Sequence, residues 1–131
     1  MREGLYKIAF ETEKASKTGV VFMQDGQVWG GDSGLAFFGS YTLTGKHLTA
    51  TVHTSRHTEG VPSAFGLDVV QVEITGEAGD ESAELQGRSP QAPDLSFRAR
   101  LILLKSAGKR PAESRPSAAT RWLLSASPEP D

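Results

Sequence analysis

The stretch His47-Leu48-Thr49-Ala50-Thr51-Val52-His53-Thr54-Ser55-Arg56 decides the fold. Leu48, Ala50 and Val52 alternate with Thr49, Thr51 and His53. A period of two with a polar outer face belongs to a strand buried on one side. Turn residues, Thr44-Gly45-Lys46, precede it, and Leu35 to Leu43 before them form another β-like run with Phe37, Phe38 and Tyr41. Further upstream, Gly19 to Gln24 meets Gln27-Val28-Trp29 across Asp25-Gly26. Asp-Gly between two such runs predicts a tight hairpin, because both central residues of a type I′ turn need positive φ. Gly4 to Thr12 places Tyr6, Ile8 and Phe10 on one face. Downstream, Leu67 to Glu77 aligns Val70, Val72 and Ile74, and Ser82 to Arg88 is a weaker strand. Asp94 to Lys105 sets Leu95, Phe97, Ala99, Leu101 and Leu103 against Arg98 and Arg100.

These runs predict about eight strands joined mostly by short turns, with Pro62 to Leu67 the nearest helical candidate. Sequential strands with short links form a meander, and eight antiparallel strands lose their exposed edges by closing into a barrel. The expected fold class is therefore all-β, an up-and-down, lipocalin- or calycin-like barrel. A barrel of this size is filled by side chains or holds one small ligand. Phe10, Phe22, Phe37, Phe65 and Phe97 are bulky enough to fill it.

Glycine and proline divide the 131 residues unevenly. Thirteen of 14 glycines precede residue 105, and four of seven prolines, Pro111, Pro116, Pro128 and Pro130, fall in the last 24 residues. The reading is a barrel domain over residues 1–106 and a flexible Pro/Ser/Ala-rich tail over 107–131. Trp122-Leu123-Leu124 is the apolar exception in that tail. It docks back on the barrel, binds a partner or stays unstructured, and sequence leaves the three open.

Composition narrows function by exclusion. Fourteen Lys and Arg against 16 Asp and Glu give a net charge of −2. Such a balance does not hold nucleic acid by bulk charge. The chain has no cysteine, which removes disulfides, thiolate nucleophiles and Cys-ligated metals. The opening Met1-Arg2-Glu3-Gly4 has no apolar signal region, and no run reaches the ~18–20 apolar residues of a membrane helix. The expectation is a soluble, cytoplasmic protein without a cofactor.

Candidate chemistry is sparse. His47 and His53 share strand parity but lie roughly 20 Å apart at strand rise, too far for one metal ion, and His57 lies beyond the strand. Gly31-Asp32-Ser33-Gly34 lacks the spacing of a G-x-S-x-G elbow and a helix after it. The chain carries no predicted catalytic residue. Trp29-Gly30-Gly31-Asp32 reads as a tight turn or bulge at a barrel rim, with Asp32 capping the turn and Gly31 expected at positive φ. Gly60-Val61-Pro62-Ser63-Ala64-Phe65-Gly66 reads as a plug at one end, with Arg56, His57 and Glu59 lining the mouth. The candidate partner- or ligand-binding residues are Trp29, Gly31, Asp32, Arg56, His57, Pro62 and Phe65.

The order of Gly4-Leu5-Tyr6-Lys7-Ile8, Gly19-Val20-Val21, Gly26-Gln27-Val28-Trp29-Gly30-Gly31-Asp32, Phe38-Gly39-Ser40-Tyr41 and Val61-Pro62-Ser63 resembles the GrlR-like family, small bacterial negative regulators of type III secretion. The resemblance runs over about residues 4–105. It implies an eight-stranded lipocalin-like barrel, no enzyme activity, a homodimer, and a transcriptional regulator as protein partner. The family's partner-contact motif is an exposed Glu-Asp-Glu-Asp run; the matching stretch here, Thr42-Leu43-Thr44-Gly45-Lys46, has no acid. The second functional reading is a carrier or sensor with a small apolar ligand inside the barrel. A cavity of ~300 Å³ or more favours that reading, and a filled interior favours protein binding.

Because the alternating strands end near Lys105, removing residues 107–131 should leave cooperative unfolding intact. Chemical denaturation of the truncated chain checks this, and loss of the cooperative transition would place the Trp122 segment in the core.

Overall fold

The computed structural model describes residues 1–61, 63–67 and 69–107. Pro62 and the tail, including Trp122-Leu123-Leu124, lie outside the described residues. Eight strands follow one another: β1 (Gly4–Glu11), β2 (Ser16–Gln24), β3 (Gln27–Gly31), β4 (Leu35–Thr44), β5 (His47–Arg56), β6 (Gln71–Ala78), β7 (Ser82–Ser89) and β8 (Ala92–Ser106). Each pairs antiparallel with its sequence neighbours, and β1 pairs with β8 to close an up-and-down barrel. No helix occurs among the described residues, so none is long and apolar enough to cross a membrane.

Turn chemistry sets the register. Asp25 (φ 54°) and Gly26 (φ 75°) join β2 to β3, as a type I′ turn requires. Gly45 at φ 62° takes the first central position between Thr44 and His47, the pattern of a type II′ turn. Both hairpins twist with their strands, so pairing starts in register.

Alternation then sorts side chains between two surfaces. Tyr6, Ile8 and Phe10 from β1, Val21 and Met23 from β2, Leu48 from β5 and Val72 and Ile74 from β6 enter one apolar core. Phe37, Phe10, Phe97 and Phe65 follow one another through it, edge-to-face, tilted and stacked in turn, with ring centroids 5.6, 5.9 and 5.9 Å apart. Phe22 does not join them. Val21 and Met23 fix the inward parity of β2, so Phe22 turns outward and stacks on Trp29 at 6.3 Å. The unbroken run Val20-Val21-Phe22-Met23 carries no alternation from which that parity could be read. At the opposite end of the barrel from Phe65, the Tyr6 hydroxyl donates to the Arg2 carbonyl. Burial holds the phenols of Tyr6 and Tyr41 above their ordinary range.

Outside, Arg98 pairs with Glu11 at 3.2 Å and Arg100 with Glu84 at 2.7 Å, each across a direct register pair. Exposed pairs of this kind contribute roughly 0.2–1 kcal/mol, so apolar burial and the closed ladder dominate.

Two further expectations change. The strand expected from Leu67 begins at Gln71, because Ser63 and Leu67 belong to the end plug and Val70 is held by Thr54. Gly31 lies inside β3 and its φ is not positive. Its need for a glycine is steric: a Cβ there would stand 2.6 Å from the Leu35 carbonyl oxygen. Gly31→Val should therefore destabilise the barrel by about 1–3 kcal/mol through overpacking. Thermal unfolding against Gly45→Ala separates the causes, since Gly45 has positive φ but open space around its Cβ position.

Candidate functional site

Three places draw in the candidate residues: the interior, the rim beside β3 and β5, and the outer face of β1 to β4. The interior is almost full. Its cavity measures about 70 Å³ and is lined by Ile8, Phe37, Leu48, Val72, Phe97 and their apolar neighbours. Ligand pockets run from about 300 Å³ upward, and even a benzene-sized guest needs a cavity of about 150 Å³.

Phe65 completes that filling. It is 6% exposed and lies parallel to Phe97, held by a short turn rather than a helix. The buried Ser63 hydroxyl donates to the Leu67 carbonyl at 2.6 Å and accepts from the Leu67 amide at 2.9 Å. Gly66 follows at φ 75°, with its amide on the Ser63 carbonyl. Thr12 donates its hydroxyl to the Ala64 carbonyl, tying the turn to the end of β1. Beyond the turn, buried Thr54 receives the Val70 amide at 3.0 Å and donates its own amide to the Val70 carbonyl at 3.0 Å. The segment is a stopper anchored at both ends.

The rim residues serve the same stopper. Asp32 Oδ1 accepts from the amides of Gly34 and Leu35, both at 2.8 Å, which fixes the β3–β4 turn. Its Oδ2 is buried with no hydrogen-bond partner among the described residues. His57 Nε2 lies 3.0 Å from the Asp32 carbonyl oxygen. A carbonyl only accepts, so Nε2 carries the proton, and in the neutral ring Nδ1 accepts from the Thr58 hydroxyl at 2.7 Å. Arg56 Nη1 donates to the carbonyls of Thr58 and Val61 at 2.9 and 2.7 Å. Asp32 Oδ1, Arg56 Nη1 and both His57 ring nitrogens thus meet backbone groups or a neighbouring hydroxyl. The pattern binds loops together.

Trp29 faces the other way. On the barrel exterior a register row runs Leu5, Phe22, Trp29, Phe38 and His53 across β1 to β5. Trp29 is 51% exposed and Phe38 44%. Phe22 stacks on Trp29 with an interplanar angle of 5°, and Phe38 on His53 at 6.2 Å. Val20, Ile102 and Leu104 are exposed too, with Lys7 between Val20 and Ile102 in the register. Contiguous apolar surface on a folded domain marks an interaction site, whereas single exposed residues do not.

The structure thus brings Asp32, Arg56 and His57 together at the rim, places Phe65 inside, and sets Gly31 within the ladder beside Trp29 on the outer face. Pro62 lies outside the described residues. Sequence reading missed Phe38 as the register partner of Trp29, and the exposure of Ile102 and Leu104. The parity of Leu35 and Phe37, and of Leu101 and Leu103, already turns those three outward.

A larger concavity of about 910 Å³ is an open groove edged by His47, Glu77, Glu84, Arg98 and Arg100. Its arginines are occupied by Glu11 and Glu84. No group of three or more metal-ligating side chains occurs among the described residues.

Phe65→Ala should lower stability by about 3–5 kcal/mol, the usual cost of emptying a buried phenylalanine site. Denaturant unfolding, with binding of an apolar dye to the opened barrel, measures both consequences. A scan of protein-family models and a search of curated proteins each find no match to this chain.

Proposed function

We propose that this chain is a non-catalytic interaction protein that binds a protein partner through the outer apolar face of β1 to β4. The observation that carries the reading is the distribution of aromatic side chains. Four phenylalanines close the interior to about 70 Å³, while Trp29 and Phe38 stand half-exposed in one row outside. Rigid aromatic side chains on a sheet are the residues that anchor protein interfaces, since they supply contact area at low conformational cost. A carrier reading needs the reverse, an open interior. The resemblance to GrlR-like negative regulators of type III secretion points the same way, toward a dimeric, non-enzymatic barrel acting on a transcriptional regulator. Thr42 to Lys46 carry no acidic run, and the reading rests on the aromatic row instead.

Native mass spectrometry of the protein from its own host tests the reading. The expected species is a dimer of the 14.0 kDa chain with a second protein attached. In the double variant Trp29→Ser/Phe38→Ser that second protein should be lost while cooperative unfolding persists, because exposed substitutions usually change stability by under about 0.5 kcal/mol. A constant extra mass of a small molecule, released on denaturation, would instead establish the carrier.

A further inference from the structure

The apolar face has an occupant within reach in the same chain. β8 ends with Lys105 opposite Leu5 and Ser106 opposite Gly4. Leu5 is the first member of the row that continues through Phe22, Trp29 and Phe38. The Ala107 amide still donates to the Glu3 carbonyl at 2.8 Å, so the backbone leaves the barrel beside that row. The residues that follow are dominated by Pro, Ser, Ala and charged side chains, and Trp122-Leu123-Leu124 is their one cluster of large apolar residues.

We infer that Trp122-Leu123-Leu124 docks on the outer face formed by Phe22, Trp29 and Phe38, covering it when no partner is bound.

The distances agree. Crossing from β8 to β4 takes four strand spacings, about 19 Å in all. About 15 residues separate Ala107 from Trp122. A coil of that length has a root-mean-square span of about 20 Å and an extended limit of about 50 Å. A linker whose natural span matches its target gives the highest effective concentration, in the millimolar range. A second copy of the chain would have to exceed that concentration to compete for the face. The chemistry also fits: an indole and two isobutyl groups present the flat apolar area that the exposed Trp29 and Phe38 rings lack.

This inference rests on reading the face as a binding surface, and its test requires no partner. The full chain has no cysteine, so Ser125→Cys accepts a single nitroxide label. In the nitrogen-15-labelled protein the expected result is selective loss of the Trp29 indole N–H signal and of the Trp29 and Phe38 amide signals. Signals from Glu73 and Glu84, on β6 and β7, should be kept. The loss should be unchanged when labelled chain is mixed with an excess of unlabelled, diamagnetic chain. It should vanish when Trp122, Leu123 and Leu124 are all replaced by alanine, with the remaining barrel spectrum as the control for folding. Three results would overturn the inference: retained Trp29 signals, a loss that fades on mixing and so assigns the face to a second copy, or a loss that survives the triple replacement. A docked segment together with a partner that ignores Trp29 and Phe38 would support this inference and refute only the proposed function.

Discussion

Backbone pairing between Gly4–Glu11 and the second half of β8 closes the sheet, and the remaining architecture depends on it. Seven of the eight interfaces are between strands adjacent in sequence; alone they would leave an open meander with two exposed edges. The eighth converts a two-sided sheet into an inside and an outside. Only then does the alternation of each strand acquire its meaning, with one parity packed into an enclosed core and the other given to solvent. The irregularity between Leu5 and Tyr6 lies at this closure. It lets β8 run on to Ser106 while Leu104 stays on the outer surface.

Parity then allocates the aromatic residues, and with them the functional reading. Phe10, Phe37, Phe65 and Phe97 fall on inward positions and fill the volume that a carrier would keep open. Phe22, Trp29 and Phe38 fall on outward positions of three successive strands, so cross-strand register stacks them into one row. Phe37 and Phe38 are neighbours in sequence and serve opposite surfaces. The rim residues form a third group. Asp32, Arg56 and His57 hold two loops against each other, so that Phe65 is kept in the barrel mouth.

Features encoded locally were legible from the residues alone. The bounds of β5 at His47 and Arg56, the Asp25-Gly26 turn and the end of β8 beside Lys105 each follow from periodicity or turn chemistry within a few residues. Features set by non-local packing were not. Gly31 was expected to be required for its φ, but its constraint is the Leu35 carbonyl across the strand. Leu67 to Val70 have the composition of a strand, yet the backbone of Leu67 is held by Ser63 and that of Val70 by Thr54. Phe22 lies in an apolar run without alternation, and only pairing with Trp29 shows which way it points. Of the candidate site residues, Trp29 was singled out without its neighbours, because a row perpendicular to the strands is invisible along the chain.

The closing pair has a consequence for how the barrel assembles. Gly4 and Ser106 meet across about 100 residues, and loop closure over that length costs about 4 kcal/mol beyond a constant, against far less for a two-residue hairpin. The hairpins are local and can form early; the seam between first and last strand raises the contact order and belongs to the late part of folding. On the ribosome β1 emerges first and its partner last. One flank of β1 therefore stays unpaired through most of synthesis, and the open sheet edge is then the vulnerable species for aggregation.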